Sequence, residues 1–274
     1  PCAGHRRVGP DLARRLDQVD ARAAISYAKG VDIVYATGHL EPALQALAYA
    51  EELYRNHCRG CAHEMRQARM MITQLSLAVK REGDMPTLRE WVREAEDRGD
   101  RLSAVRLRLS LSLAALRADD SDAALLQIDT ALKLAGGTTS GLAAVAEPFA
   151  RANLQLYRGS ADGCRVSNYL LEDFFSGALA WVPVWRSLIL LLRARLALIA
   201  RAATGAPRDL LSSAAINLGK ATRLGSPCMA DDVQLVRASI AAAEGKRGDA
   251  LEALGVILQS HQGRSDLPLT ALFA

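Results

Sequence analysis

Apolar residues run along the chain in helical stripes that stop and restart at regular intervals. At Gly245 one helix is predicted to end, because glycine readily takes the left-handed conformation that closes a helix, and Asp249 is placed to cap the next one. Ala250, Leu254 and Ile257 then follow at positions i, i+4 and i+7, which share one face of a helix. This stretch predicts a helical hairpin whose second helix has an apolar face.

The same arrangement recurs six times. Turn residues are predicted at positions 38, 83, 119, 159, 205 and 245, which lie 36 to 46 residues apart. The positions five, nine and twelve residues after each turn are small or apolar except at Asn168 and Asn217: Ala43, Leu47, Ala50, Leu88, Val92, Ala95, Ala124, Ile128, Ala131, Cys164, Asn168, Leu171, Leu210, Ala214, Asn217, Ala250, Leu254 and Ile257. A small residue precedes four turns by seven positions: Ser76, Ser112, Ala152 and Ala238. Such a period is typical of helix pairs stacked in a row.

The pattern resembles the tetratricopeptide repeat (TPR), in which a Gly-Asp type turn is followed by small and large residues at these offsets. The period here is longer and less regular, and the aromatic positions are mostly aliphatic. The predicted fold is all-α, a TPR-like α-α superhelix (solenoid) of about six helical hairpins. We expect it to form one array over residues 1–274, with a lead-in at 1–20 and a tail at 263–274. The alternative is a non-repetitive all-helical domain.

Composition narrows the function classes. Half of the residues are apolar and only 5% are aromatic, which favours alanine and leucine packing between helices. The net charge of +4 is too balanced to indicate nucleic-acid binding. The apolar stretch 176–200 is interrupted by Arg186, Arg193 and Arg195, so no membrane span is predicted. The N-terminal stretch PCAGHRRVGPDLARR has no apolar segment of a secretory signal, so a cytoplasmic location with reduced thiols is expected. The missing initiator methionine predicts that the chain is a piece of a longer protein.

A closer resemblance is carried, in order, by HCRGCAHEMRQARMM, REWVREAEDRGDRLSAVRLR, LRADDSDAALLQIDTAL, LYRGSADG and the segment from Trp185 to Ala202 with its LLRARLALIARA core. The most specific pieces are Cys58 followed by Glu64, and the run from Glu96 to Asp100. They resemble the C-terminal helical region of large bacterial serine/threonine protein kinases of the myxobacterial and planctomycete type. The resemblance implies a regulatory or docking role in signal transduction. No Gly-rich phosphate loop, His-Arg-Asp or Asp-Phe-Gly motif is present in the sequence, so no catalysis is expected from this chain.

Partner binding is predicted on the first helix of each hairpin, because first helices line the concave surface in the TPR architecture. Positions thirteen, ten, six, three and two before a turn usually point into that surface. They select Lys80, Arg81, Arg106, Arg117, Asn153, Tyr157 and Arg195. Arginine can hold a carboxylate of a protein or peptide partner, or of the kinase or ATPase domain of the same polypeptide. The competing interpretation is that these residues form ordinary solvated faces.

One local motif has metal-ligand chemistry. Cys58 and Cys61 have the Cys-x-x-Cys spacing of zinc sites, and His57 and His63 flank them. Four ligands within seven residues rarely enclose one ion, so the main interpretation is that these cysteines pack at a connector between helices. No cofactor is therefore predicted. The alternative is that the motif forms a metal-binding or redox module. A further alternative for the whole chain is a ligand-sensing region of an ATPase-linked transcriptional regulator.

The acidic clusters are interpreted as helix starts, where the helix dipole favours carboxylates. They are Asp119, Asp120, Asp122, Asp231 and Asp232. No catalytic pair is predicted from them.

Overall fold

The computed structural model of the protein describes residues 18–78, 85–136, 142–204 and 208–260. These ranges contain twelve α-helices and no β-strand, which confirms the all-α prediction. The chain divides into two compact units, Pro1–Val79 (unit 1) and Lys80–Ala274 (unit 2). The prediction of a single array over the whole chain stays a prediction.

Unit 1 contains α1 (Val19–Thr37), α2 (Leu40–Asn56) and α3 (Ala62–Ala78). Helix α1 packs along α2, and α2 packs along α3. One apolar cluster joins all three helices, because small residues allow them to approach closely. It is formed by Ala23, Ala50, Leu53, Tyr54, Met65 and Ala68.

Unit 2 contains nine α-helices within the described ranges. They are α4 (Met85–Asp97), α5 (Arg101–Arg117), α6 (Ser121–Ala135), α7 (Leu142–Tyr157), α8 (Ala161–Leu170), α9 (Pro183–Thr204), α10 (Arg208–Leu224), α11 (Ala230–Ala243) and α12 (Arg247–Ser260). Short 3₁₀ turns at Asp173–Ser176 and Ala178–Trp181 separate α8 from α9, and a third at Pro227–Met229 precedes α11.

The helices of unit 2 follow one packing scheme. Consecutive helices pack as the pairs α5/α6, α7/α8, α9/α10 and α11/α12. The first helix of each pair also contacts the first helix of the next, so that α5 packs on α7, α7 on α9, and α9 on α11. Each second helix contacts the first helix of the following pair as well.

The predicted turns have the expected backbone conformation wherever they are described. Gly38, Gly159 and Gly245 have φ values of 70°, 62° and 78°, and Asp119 reaches φ 62° as the one non-glycine residue with positive φ among those described. The turns at positions 83 and 205 lie outside the described residues. The predicted cap at Asp249 is wrong: α12 already begins at Arg247, so this carboxylate lies inside the first turn, where the helix dipole still favours it.

Burial follows the predicted register. Of the eighteen positions listed above at five, nine and twelve residues after the turns, fifteen are buried; the exceptions are Asn168, Leu210 and Leu254, which are partly exposed. The four small residues seven positions before a turn are also buried, including Ser112 and Ala152 with no exposed surface. The periodic apolar positions therefore form the core between the helices.

Among the described helices, none combines the length and the hydrophobicity required to cross a membrane.

Candidate functional site

The predicted partner-binding residues that the structure describes all lie in unit 2. Arg106 and Arg117 are on α5, Asn153 and Tyr157 are on α7, and Arg195 is on α9; all five are partly buried. Lys80 and Arg81 lie outside the described residues. Since α5 packs on α7 and α7 on α9, the structure brings the three helices that carry these residues together. We call these five residues the first-helix stripe.

Helical spacing places Arg106 and Arg117 on one side of α5, and Asn153 and Tyr157 on one side of α7. Arg106 and Arg117 are eleven residues apart, which is about three turns of helix, and Asn153 and Tyr157 are separated by four residues. Counted back from their turns, Arg106 is at position thirteen, Arg195 at ten and Asn153 at six, and Arg117 and Tyr157 are both at position two. Successive offsets therefore differ by three, four and four residues. Such spacing keeps side chains in one row along a helix. The Asn153 amide also donates a 2.8 Å hydrogen bond to the carbonyl of Phe149.

Arg195 has an acidic neighbour that the sequence did not predict. Asp232, in the first turn of α11, interacts electrostatically with Arg195 of α9. Burial raises the pKa of Asp232 to about 7. The positive charge of Arg195 lowers this pKa, whereas the negative charge of Asp231 raises it further. Burial also lowers the pKa of Arg195. Arg195 thus has a carboxyl neighbour within the fold.

A second set of arginines joins successive hairpins. Arg69 Nε donates to Glu51 Oε1 at 2.9 Å, and both side chains are buried. Arg108 donates to Glu96 at 2.6 Å and to Gln127 at 2.9 Å, so it links α5 to both α4 and α6. In both contacts the carboxylate lies on the helix that directly precedes the helix of the arginine along the chain.

Arg193 of α9 makes a similar contact with a carboxylate that lies just after the end of α8. It donates to Glu172 at 2.6 Å and to Asn168 at 2.8 Å, and its guanidinium lies 5.6 Å from the ring centroid of Phe175. Glu172 lies thirteen positions after its turn, as do the two carboxylates bound by Arg69 and Arg108. The sequence analysis missed this repeat, although an acidic residue at the same offset in three hairpins was a usable signal.

The acidic clusters have structural roles where their contacts are described. Asp120 accepts a 2.8 Å hydrogen bond from the backbone N–H of Ala123 and so caps α6. Asp122 binds Arg158 at 2.9 Å, which ties the start of α6 to the end of α7. These contacts agree with their interpretation as helix starts.

The Cys-x-x-Cys motif lies in unit 1, where the structure places Asp20 beside it, a neighbour that the sequence analysis did not predict. One ligand atom each of Asp20, Cys58 and Cys61 lies within 4.8 Å of the others. His57 and His63 are exposed and are not members of this group. Burial raises the pKa of the Cys58 thiol to about 12, and its hydrogen bond to the Asp20 carboxylate and the charge of that carboxylate contribute.

Unit 2 also exposes large apolar side chains that the sequence analysis did not select. Val166 and Tyr169 on α8 are 60% and 73% exposed, and Trp181, in the 3₁₀ turn before α9, is 85% exposed. Exposed apolar groups of this size on one helix face are common at protein–protein contacts.

Comparison with protein-family models, with curated proteins and with solved structures gives no significant match to this chain.

Proposed function

We propose that this chain is a TPR-like α-solenoid that acts as a non-catalytic scaffold for protein–protein interaction. The observation that supports it best is the packing scheme of unit 2, in which the first helices α5, α7, α9 and α11 contact one another in succession. A row of first helices joined in this way presents one continuous surface. The buried small residues at the repeated positions are what allow these helices to approach closely.

The proposed ligand is an acidic segment of a protein, bound along the first-helix stripe. Arg106 and Arg117 supply guanidinium groups eleven residues apart on α5, and Tyr157 and Asn153 supply hydrogen-bonding groups on α7. Guanidinium groups bind carboxylates through paired hydrogen bonds. Arg69, Arg108 and Arg193 bind carboxylates within the fold and are not included in the proposed partner-binding surface.

The kinase resemblance adds a proposed biological setting. In that setting the chain is the helical region of a multidomain bacterial serine/threonine protein kinase, and its partner is a signalling protein or the kinase or ATPase domain of the same polypeptide. The complete parent sequence tests this directly: a kinase domain upstream supports it, and a helix-turn-helix domain downstream contradicts it.

Binding is tested with a library of random peptides selected on the immobilised full chain. Enriched peptides should be acidic, and their affinity should fall about tenfold or more in Arg106→Glu, since the substitution replaces attraction by repulsion. Arg223→Glu is the matched control, because Arg223 is an exposed arginine on a second helix, α10. Selection of no acidic peptides, or an equal loss of affinity in the two variants, would contradict the proposal.

A further inference from the structure

Unit 1 holds a cluster of potential metal ligands that comes from two separate parts of its sequence, the beginning of α1 and the connector between α2 and α3. Asp20 is in the first turn of α1, Cys58 follows the end of α2, and Cys61 immediately precedes α3. Their ligand atoms all lie within 4.8 Å of one another. In a tetrahedral zinc site, bond lengths of about 2.0–2.3 Å place neighbouring ligand atoms roughly 3.5–3.8 Å apart. Side-chain adjustments of about 1 Å would therefore bring the three groups to coordinating distance.

We propose that Asp20, Cys58 and Cys61 bind a single zinc ion or a similar thiophilic divalent cation. Two thiolates favour zinc over magnesium or calcium, which prefer all-oxygen sites. Three protein ligands leave a fourth tetrahedral position for water. On binding, the two thiols release their protons to solvent, and the thiolates and the carboxylate become the ligands.

The surroundings suit such a site. Cys58 and Cys61 pack against the apolar cluster that contains Tyr54 and Met65, so their positions are held by the core of unit 1. Asp20 is exposed, which gives an ion a path from solvent. One ligand atom of each of the three groups lies within 4.8 Å of the others, so the groups already face one another without an ion.

The geometry distinguishes this site from one built on the sequence motif alone. A site formed by the motif would use His57 and His63 with the two cysteines, whereas the structure replaces the histidines by Asp20, 38 residues before Cys58. A metal bound here would fasten the beginning of α1 to the connector between α2 and α3. It should therefore slow amide hydrogen exchange at the beginning of α1.

The test uses the full 274-residue chain, reduced and stripped of metal, and titrates it with Co²⁺ as a spectroscopic substitute for Zn²⁺. We expect one equivalent to bind, with a thiolate-to-cobalt charge-transfer band and the visible bands of tetrahedral cobalt, and Zn²⁺ should displace it. Zn²⁺ should also slow hydrogen exchange in the first turns of α1. A wild-type chain with free thiols that binds no stoichiometric metal would overturn the proposal.

Variants identify the ligands. Cys58→Ser and Cys61→Ser should abolish the charge-transfer band, and Asp20→Asn should weaken binding by at least about tenfold. Cys228→Ser and the double variant His57→Ala/His63→Ala are the controls and should bind as the wild type does. Asp20 is exposed, so its substitution tests the ligand without removing a core side chain. Unchanged binding in Asp20→Asn, or loss of binding in the histidine variant, would overturn the assignment.

Discussion

The close approach of α1 to α2 at Gly30 gives a specific prediction. A Cβ atom on Gly30 of α1 would lie 2.6 Å from Cγ and 3.0 Å from Cδ2 of Leu47, and 3.1 Å from the carbonyl oxygen of Ala43. Leu47 is completely buried on α2. Its Cγ is the branch point of the side chain, so it cannot move aside as the end of a flexible chain does. Gly30→Ala therefore has to separate α1 from α2.

Two opposing effects set the magnitude. Alanine is favoured over glycine in a helix interior by about 1 kcal/mol. Overpacking of a tight core costs about 1–3 kcal/mol, and a contact of 2.6 Å calls for the upper part of that range. We expect a net loss of about 1–2 kcal/mol in the free energy that protects α1 and α2 from opening.

The control is a helical glycine with open space around it. A Cβ on Gly219 of α10 would meet no atom within 4 Å, so Gly219→Ala should gain about 0.5–1 kcal/mol from helix propensity alone. Hydrogen exchange with mass spectrometry measures each helix separately, which matters because the chain has two units. Amide exchange in α1 and α2 should accelerate about 5–30-fold in Gly30→Ala. Unchanged or slower exchange there would refute the packing argument.

Two further predictions concern buried charges. Glu51→Ala removes the carboxylate partner of buried Arg69 and should lower the free energy of unfolding, measured by urea denaturation, by about 3–5 kcal/mol. The control Glu94→Ala, at the more exposed pair with Arg98, should lower it by less than about 1 kcal/mol. Similar losses in the two variants would contradict the account of the buried pair. The raised pKa of Asp232 means that the folded state holds its proton more tightly than the unfolded state does. The stabilisation that protonated Asp232 contributes is complete below pH 3.8 and is lost as the pH rises to about 7, so the free energy of unfolding should fall by up to about 1.4 kcal/mol per pH unit in this range. The variant Asp232→Asn should remove this pH dependence. An unchanged pH profile in the variant would show that Asp232 does not titrate in this range.

The sequence predicts the helices, the turns and the buried register because these depend on local periodicity. Positive φ at Gly38 and Asp119 and the burial of Leu47 and Ile128 follow from spacing along a single hairpin. Their prediction needs no knowledge of which helices meet later. The same holds for the small residues before the turns.

Contacts between distant segments could not be predicted in this way. The electrostatic interaction of Asp232 with Arg195 depends on how α11 is rotated on α9, and the approach of Asp20 to Cys58 depends on where α1 begins relative to the end of α2. Neither is encoded in a local pattern. The arginine–carboxylate contacts could be predicted only in part. Glu51 and Glu96 lie at the same offset from their turns, but their arginine partners do not share an offset.

The central claim is that the hairpins of unit 2 stack in one direction. Spin labels introduced as non-canonical residues at Asp122, Asp162 and Gly248 occupy equivalent exposed positions, each three residues after a turn. Pulsed EPR distances should increase from the 122–162 pair to the 162–248 pair and again to the 122–248 pair, because these pairs are one, two and three hairpins apart. A 122–248 distance equal to or shorter than the 122–162 distance would mean that the helices close on themselves, and would contradict a solenoid.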